Sequence, residues 1–243
     1  MEIIRSTIFS QFPELLFGMS TQSGGVSPEK LDLNLSFNVG DSIENVKENR
    51  NRFFSTLEIS ENEVAFPLQQ HTNNVFVCSF PGKFSECDAL ITKQSRLPLA
   101  ISIADCTPVM LYDPVTKTIA GIHAGWRGTA SRIVVNSLKL MKEKFSVQLE
   151  NVFAFIGPSA GKCCYEVGEE VAEQFPKECV GKKNEKKYLL DVKHANLLQL
   201  LENGLLKSHI EVHSDCTIHN DKYHSFRRDG KKSGRMLAVI GLR

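Results

Sequence analysis

The spacing of hydrophobic positions changes several times along the chain, and each change marks an element. Ser42 can cap a helix through IENVKENRNRFFSTL, where Ile43, Val46, Arg50 and Phe53 fall near helical spacing and Glu48 can pair with Arg52. From Glu63 to Gly125 the texture becomes short apolar runs separated by turn residues: VAFPLQQH, NVFVCSF, DALIT, LPLAISIADC, PVMLYD and TIAGIHAG. Such runs predict strands. PVMLYD and TIAGIHAG, joined through Pro114 and Val115, predict a hairpin whose arms are both apolar enough to be buried. Cys106 enters that hairpin and His123 leaves it, so antiparallel pairing sets them side by side.

A helix is predicted from Thr129 or Ser131, with Val134, Leu138, Met141 and Phe145 on one stripe and lysines mostly opposite. VFAFIGPSAG then reads as a buried strand ending in a Gly and Pro loop. In YEVGEEVAEQF, Val167, Val171 and Phe175 fall on a helical stripe, and GKKNEKK reads as a solvated charged loop. HANLLQLLENGL predicts a helix stopping near Gly204, followed by the strands HIEVHSDC and RMLAVIGL. The stretch from Ser20 to Asp41, rich in Ser, Gly and Asn, predicts irregular backbone with a few short strands, and a turn-rich segment of that length points to function. Hairpins mix with helices, without a repeated βαβ unit. The expected fold class is therefore α+β: a mixed or antiparallel β-sheet core flanked by outer helices, a layered sandwich in a single domain over residues 1–243.

Composition narrows the function classes. With 42% hydrophobic and 23% charged residues the chain has the make-up of an ordinary soluble domain, and its net charge of +1 provides no overall field for a phosphate polymer or an acidic membrane. Neither nucleic acid nor membrane is expected as a partner. Pro13, Glu2 and Glu14 interrupt the N-terminal region, which lacks the apolar stretch of a signal peptide. The seven cysteines are irregularly spaced and include no CxxC pair. They are expected to be free thiols in a reducing, cytoplasmic setting.

Three segments place a soft or borderline metal ligand where a strand gives way to a loop: QQHT, ADCTP and GIHAGWRG. Their His71, Cys106 and His123 make a candidate His2Cys set for zinc, with the fourth tetrahedral position open. At such a position zinc lowers the pKa of water to roughly 7. The competing reading is ordinary: a lone cysteine in an apolar strand is a small core residue and a lone histidine a satisfied polar group. Gly121, Gly125 and Gly128 around His123 allow the backbone to approach a ligand closely, although glycine also simply marks turns.

Together QQHT, DALIT, ADCTPVMLYDP, AGIHAGWRGTA, IGPSAGKCCYEVG and SFRRDGKKSGRMLAVIGL, with the upstream LNLSFNVGDSIENVKENR, resemble the YfiH-like family over nearly the whole chain. That family is named for a polyphenol oxidase (laccase) domain and is associated with purine nucleoside phosphorylase activity. The resemblance implies metal ligation by His71, Cys106 and His123. It further implies phosphorolysis of purine nucleosides such as adenosine, inosine, guanosine or methylthioadenosine, with a linked adenosine deaminase activity. Phe226 stands where relatives often carry Tyr, and His224 where they often carry an aromatic residue. A multicopper oxidase reading is disfavoured, because seven histidines without a His-X-His pair cannot furnish both a blue copper and a trinuclear centre. Copper could still occupy the single site, since it outranks zinc in intrinsic affinity.

Phosphorolysis needs a cation to hold phosphate. Arg50, Arg127, Arg227 and Arg228 are candidates because guanidinium matches phosphate oxygens bidentately, with surface ion pairing the alternative for each. Asp105 is a candidate partner of the Cys106 ligand or proton acceptor, or else a strand-end cap. Asn38 and Gln69 could hydrogen-bond substrate, or serve a turn and lie exposed respectively. Cys163 and Cys164 either line the pocket or are structural. Two other classes stand beside the phosphorylase: a cysteine hydrolase with Cys106 as nucleophile and His123 as base, suited to editing a peptidoglycan precursor, and a metal-dependent binding module without turnover.

Overall fold

The computed structural model describes residues 1–243. Two six-stranded sheets form its centre. Strands of the first run in the order Ile3–Ile4, Leu15–Ser20, Met236–Leu242, Leu99–Ile103, Ala65–Pro67 and Gly82–Phe84. Those of the second run Ile210–Val212, Phe153–Ile156, Thr107–Asp113, Thr118–Ala124, Ala89–Thr92 and Val75–Val77. Both sheets mix antiparallel and parallel pairs.

Successive side chains of a strand point to opposite faces, and this alternation builds the layers. Leu90, Met110, Tyr112 and Phe155 of the second sheet join Leu99, Ile101, Ala238 and Ile240 of the first in one core between the sheets. Their neighbours Ile91, Val109, Leu111 and Ile156 face the other way, onto the helix Ile133–Phe145 through Val134, Leu138 and Met141. On the outer face of the first sheet Leu16, Ala100, Leu237 and Val239 pack against Phe53 and Phe54 of the helix Ile43–Thr56. The order is helix, sheet, sheet, helix. It is the expected α+β sandwich, and with both faces of each sheet covered the central strands read as unbroken apolar runs.

Ser42 caps its helix as expected, its side chain accepting from the Asn45 N–H. Ile43 is exposed at the first turn, while Val46, Arg50 and Phe53 are buried. The hairpin forms with Pro108 opposite His123, and its turn spans 114–117, where the Asp113 carboxylate accepts from the Val115 and Thr116 N–H groups.

Several local expectations are corrected. No strand forms between residues 21 and 41; that segment holds one 3-10 turn at Glu29–Leu31 and a single bridge between Ser27 and Asp32. Its polar side chains explain the shape: Asn49 donates to the Asp32 and Asn34 carbonyls and Asp41 accepts from Ser27 and Asn34, so side chains replace a ladder. The helix expected from Thr129 or Ser131 is two helices, Trp126–Ala130 and Ile133–Phe145, separated at Arg132, whose φ of 61° breaks the helical path. Val167 is not helical. It pairs with Tyr188 in a three-stranded sheet, and only Glu169–Ala172 makes a turn of helix after Gly168. Val167, Val171 and Phe175 nonetheless share one small core. The charged loop contracts to residues 183–187 because Val180–Lys182 is a strand pairing with Tyr188–Leu190. Likewise HIEVHSDC provides only the short strand Ile210–Val212. No helix is long and apolar enough to cross a membrane, and all seven cysteines are free thiols.

A candidate metal centre at the sheet crossings

The site is built where the chain passes from one sheet to the other. Residues 68–74 cross from the strand Ala65–Pro67 to the strand Val75–Val77 and carry Gln69 and His71. Residues 104–106 cross from Leu99–Ile103 to Thr107–Asp113 and carry Asp105 and Cys106. His123 is the last residue but one of the neighbouring strand Thr118–Ala124, after which the chain leaves the second sheet for the helix Trp126–Ala130. The ligand atoms of His71, Cys106 and His123 all lie within 4.8 Å of one another. The two imidazoles meet edge to face, with centroids 4.9 Å apart.

A buried carboxylate organises these loops. Asp88 precedes the strand Ala89–Thr92 and is fully buried. It accepts from the N–H groups of Gln70 (3.1 Å), His71 (2.9 Å) and Thr72 (2.8 Å), and from the Thr72 hydroxyl. His123 Nδ1 lies 2.8 Å from its Oδ1. Burial alone would raise the Asp88 pKa, but the His123 contact and these N–H donors outweigh it and hold the group ionised, well below the usual carboxylate range. With Nδ1 committed to Asp88, Nε2 of His123 is the nitrogen that faces Cys106. Burial opposes charge on both groups, yet the two imidazoles pull the Cys106 pKa down, and Cys106 and Asp88 together raise that of His123.

Two of the ten non-glycine residues with positive φ stand at this site. His71 has a φ of 60° and Asp105 one of 83°, left-handed conformations that a non-glycine residue holds only when its surroundings enforce them. The three N–H bonds to Asp88 enforce the first. Asp105 is fixed by its own carboxylate, which accepts from the Thr217 hydroxyl at 2.7 Å and from the Arg227 N–H at 2.6 Å. Gly125 lies opposite Cys106, and a Cβ there would sit 2.9 Å from His71 Nδ1 and 3.0 Å from Cys106 Sγ. This close approach requires glycine. Gly121 instead faces Leu99 and Ile101 of the other sheet.

His71, Cys106 and His123 open into a cavity of about 700 Å³, a size suited to a small-molecule ligand. Its walls are paired arginines and aromatic rings. The Arg127 guanidinium lies 4.3 Å from the Trp126 ring centroid, Arg227 4.9 Å from Tyr165, and Arg235 5.4 Å from Phe226. Arg50 sits 4.7 Å from Phe37 and 5.0 Å from Phe66. All these residues line the cavity. Arg50 is neutralised by Glu61 and donates to the Leu35 carbonyl, whereas Arg127, Arg227 and Arg235 form no ion pair. A chain of near-zero net charge thus concentrates cationic groups in one hollow.

The other sequence candidates fall as follows. Asn38 lines the cavity on the rim formed by the turn at residues 37–38. Gln69 also lines it, but its amide is spent on Ser102, donating to the carbonyl at 2.7 Å and accepting from the N–H at 2.8 Å. Arg228 lies outside the cavity wall, where its guanidinium pairs with Asp229 and donates to the Thr217 and Tyr223 carbonyls. Cys163 and Cys164 stand outside the wall too, beside Cys216. Asp88, Trp126, Tyr165 and Arg235 were not singled out by sequence reasoning. For Asp88 a signal exists, namely an acidic residue inside the apolar run CDALIT. For Tyr165 and Arg235 none does, because their position depends on distant elements.

Residues 16–243 match the family described as multi-copper polyphenol oxidoreductase laccase. A protein of Bacteroides thetaiotaomicron named purine nucleoside phosphorylase is 35% identical, the match covering 95% of this chain and 93% of that one. One of the same name from Deinococcus radiodurans is 37% identical over 92% of this chain and 87% of its own length. The crystal structure of YlmD from Geobacillus stearothermophilus superposes with a TM-score of 0.94 at 30% identity, covering 100% of this chain and 97% of that one.

Proposed function

The chain belongs to the multi-copper polyphenol oxidoreductase laccase family, the YfiH-like proteins, and from that premise we propose that it is a zinc-dependent purine nucleoside phosphorylase. Residues 1–243 are taken as one catalytic unit. The observation that carries the reading is that a His2Cys cluster opens into the same cavity as a set of arginine–aromatic pairs. Aromatic faces stack a purine, and a guanidinium fork meets phosphate. Arg127 and Arg227 suit the phosphate best, since neither has an acidic partner; Arg235 joins them, while Arg50 is already neutralised and holds the rim.

The donor set fits zinc: two imidazoles and a thiolate in compact array, with Asp88 orienting the inner imidazole as a carboxylate does for a ligating histidine. Zinc would supply positive charge toward the purine or its exocyclic amine, and this is the basis for a linked adenosine deaminase activity in the same cavity. Copper competes for the same donors on affinity grounds. A multicopper centre is not supported, because the other five histidines join no cluster of metal-ligating side chains. Asp105 serves as a positioning residue: both its oxygens are engaged, and it fixes the turn that presents Cys106. In this reading Asn38 on the rim hydrogen-bonds substrate, and Gln69 ties the crossing segment to Ser102.

One observation favours a second reading. Asp88 contacts His123 and His123 contacts Cys106, the order of acid, base and nucleophile in a cysteine hydrolase. Against it, His71 converges on the same sulfur, which a hydrolase does not need and a metal does. The test is turnover of adenosine and inosine after chelation and after iodoacetamide. The metal reading expects loss on chelation, recovery with added zinc, and no phosphate-dependent base release in His71→Ala, Cys106→Ala or His123→Ala. Retained turnover in metal-free Cys106→Ala would sink it.

A further inference from the structure

A second group of potential ligands lies outside the cavity. The sulfur atoms of Cys163, Cys164 and Cys216 all fall within 4.8 Å of one another. Cys163 and Cys164 occupy a tight turn in which the Cys164 and Tyr165 N–H groups both donate to the Gly161 carbonyl. Cys216 reaches them from the far side of the chain through a bridge to Ser159. Three independent features shape this spot for sulfur. The Gly161 N–H donates to Cys216 Sγ at 3.1 Å, a contact that stabilises a thiolate. A Cβ on Gly161 would sit 3.3 Å from Cys216 Sγ and 3.4 Å from Cys163 Sγ, so glycine lets the cluster close. Lys193, buried beneath, donates to the His213, Ser214 and Asp215 carbonyls and braces the turn into Cys216 with a positive charge nearby.

We propose that Cys163, Cys164 and Cys216 form a second metal site, a three-sulfur site for a soft monovalent cation of the Cu(I) type. Sulfurs arranged trigonally at about 2.3 Å from an ion stand about 4.0 Å apart, a spacing inside the 4.8 Å that bounds these three. No imidazole or carboxylate belongs to the cluster. Thiolate donors alone, three in number, suit Cu(I) better than zinc, which completes a tetrahedron. On binding, each thiol that ligates gives its proton to solvent as a metal–sulfur bond forms, with no change of oxidation state. Cys163 is exposed, which leaves an entry path. An ion held there would fasten the turn before Tyr165 to the residue before Thr217, and both of these adjoin the cavity or its Asp105.

The test is anaerobic titration of the reduced full-length Cys106→Ala protein with Cu(I) against bicinchoninate, which removes the first cluster from consideration. One Cu(I) per chain that resists the competitor is expected. Adding Cys163→Ser, a change at an exposed position, should weaken it by more than the roughly tenfold that loss of an outer-shell partner costs. Adding Cys216→Ser should abolish it, with circular dichroism checking the fold. Uptake unaffected by Cys163→Ser would overturn the site. A tetrahedral Co(II) spectrum that depends on Cys163 would overturn its assignment to a monovalent ion.

Discussion

At the scale of single residues the site depends on positions that bring backbone unusually close to side chains. Gly125→Ala should push His71 and Cys106 apart, because the new methyl meets both at about van der Waals overlap. Its backbone, with φ of −69°, accepts alanine without strain. We therefore expect metal affinity, read by chelator competition, to drop at least about tenfold while the melting temperature of the metal-free protein hardly moves; unchanged affinity would refute the crowding argument. His224 offers a different test. It is fully buried, and burial holds its pKa down to about 4. An unfolded histidine titrates near 6.5, so on acidification the unfolded chain takes the proton first. Its contribution is complete above about pH 6.5 and is lost toward the folded value, at about 1.4 kcal/mol per pH unit. Urea unfolding should show about 2 kcal/mol of this loss by pH 5, and His224→Leu should remove it. His71, Cys106 and His123 were legible as candidates because each sits in a polar or glycine-rich motif at a strand end. Tyr165 and Arg235 were not, since nothing near them in sequence shows that they face one hollow.

At the scale of elements, periodicity located most strands and helices but erred where polar side chains or pairing decided the outcome. Val167 had a helical neighbour pattern, yet the partner strand at Tyr188 captured it. Residues 21–41 looked strand-like in places, but Asn49 satisfies backbone carbonyls there, Asp41 ties down the Ser27 and Asn34 side chains, and together they fix a loop that presents Phe37 and Asn38. The helix Ile43–Thr56 holds that loop through Asn49 and Arg50. Ser42→Ala removes its cap and should cost about 1 kcal/mol in urea unfolding. Because Asn49 and Arg50 hold the loop two turns further on, and the neighbouring Asp41 carboxylate takes no bond from the Ser42 hydroxyl, KM for nucleoside should be unchanged; a raised KM would show that the first turn governs the rim.

At the scale of the whole molecule, the α+β sandwich was legible because apolar runs covered on both faces leave a strong signature. The cationic cavity was not, because a net charge of +1 averages it away. Its arginines act over a Debye length of about 8–10 Å at ordinary ionic strength. Raising salt should therefore raise KM for phosphate and leave KM for inosine nearly constant. Equal responses would mean that the guanidinium groups do not meet the anion.

The most direct measurement is release of hypoxanthine from inosine by one preparation of known metal content, with and without phosphate. We expect one zinc per His2Cys site and ribose 1-phosphate formed in step with the free base, with both products lost on chelation and restored by zinc. Base release that ignores phosphate, or that continues after the metal is removed, would contradict it.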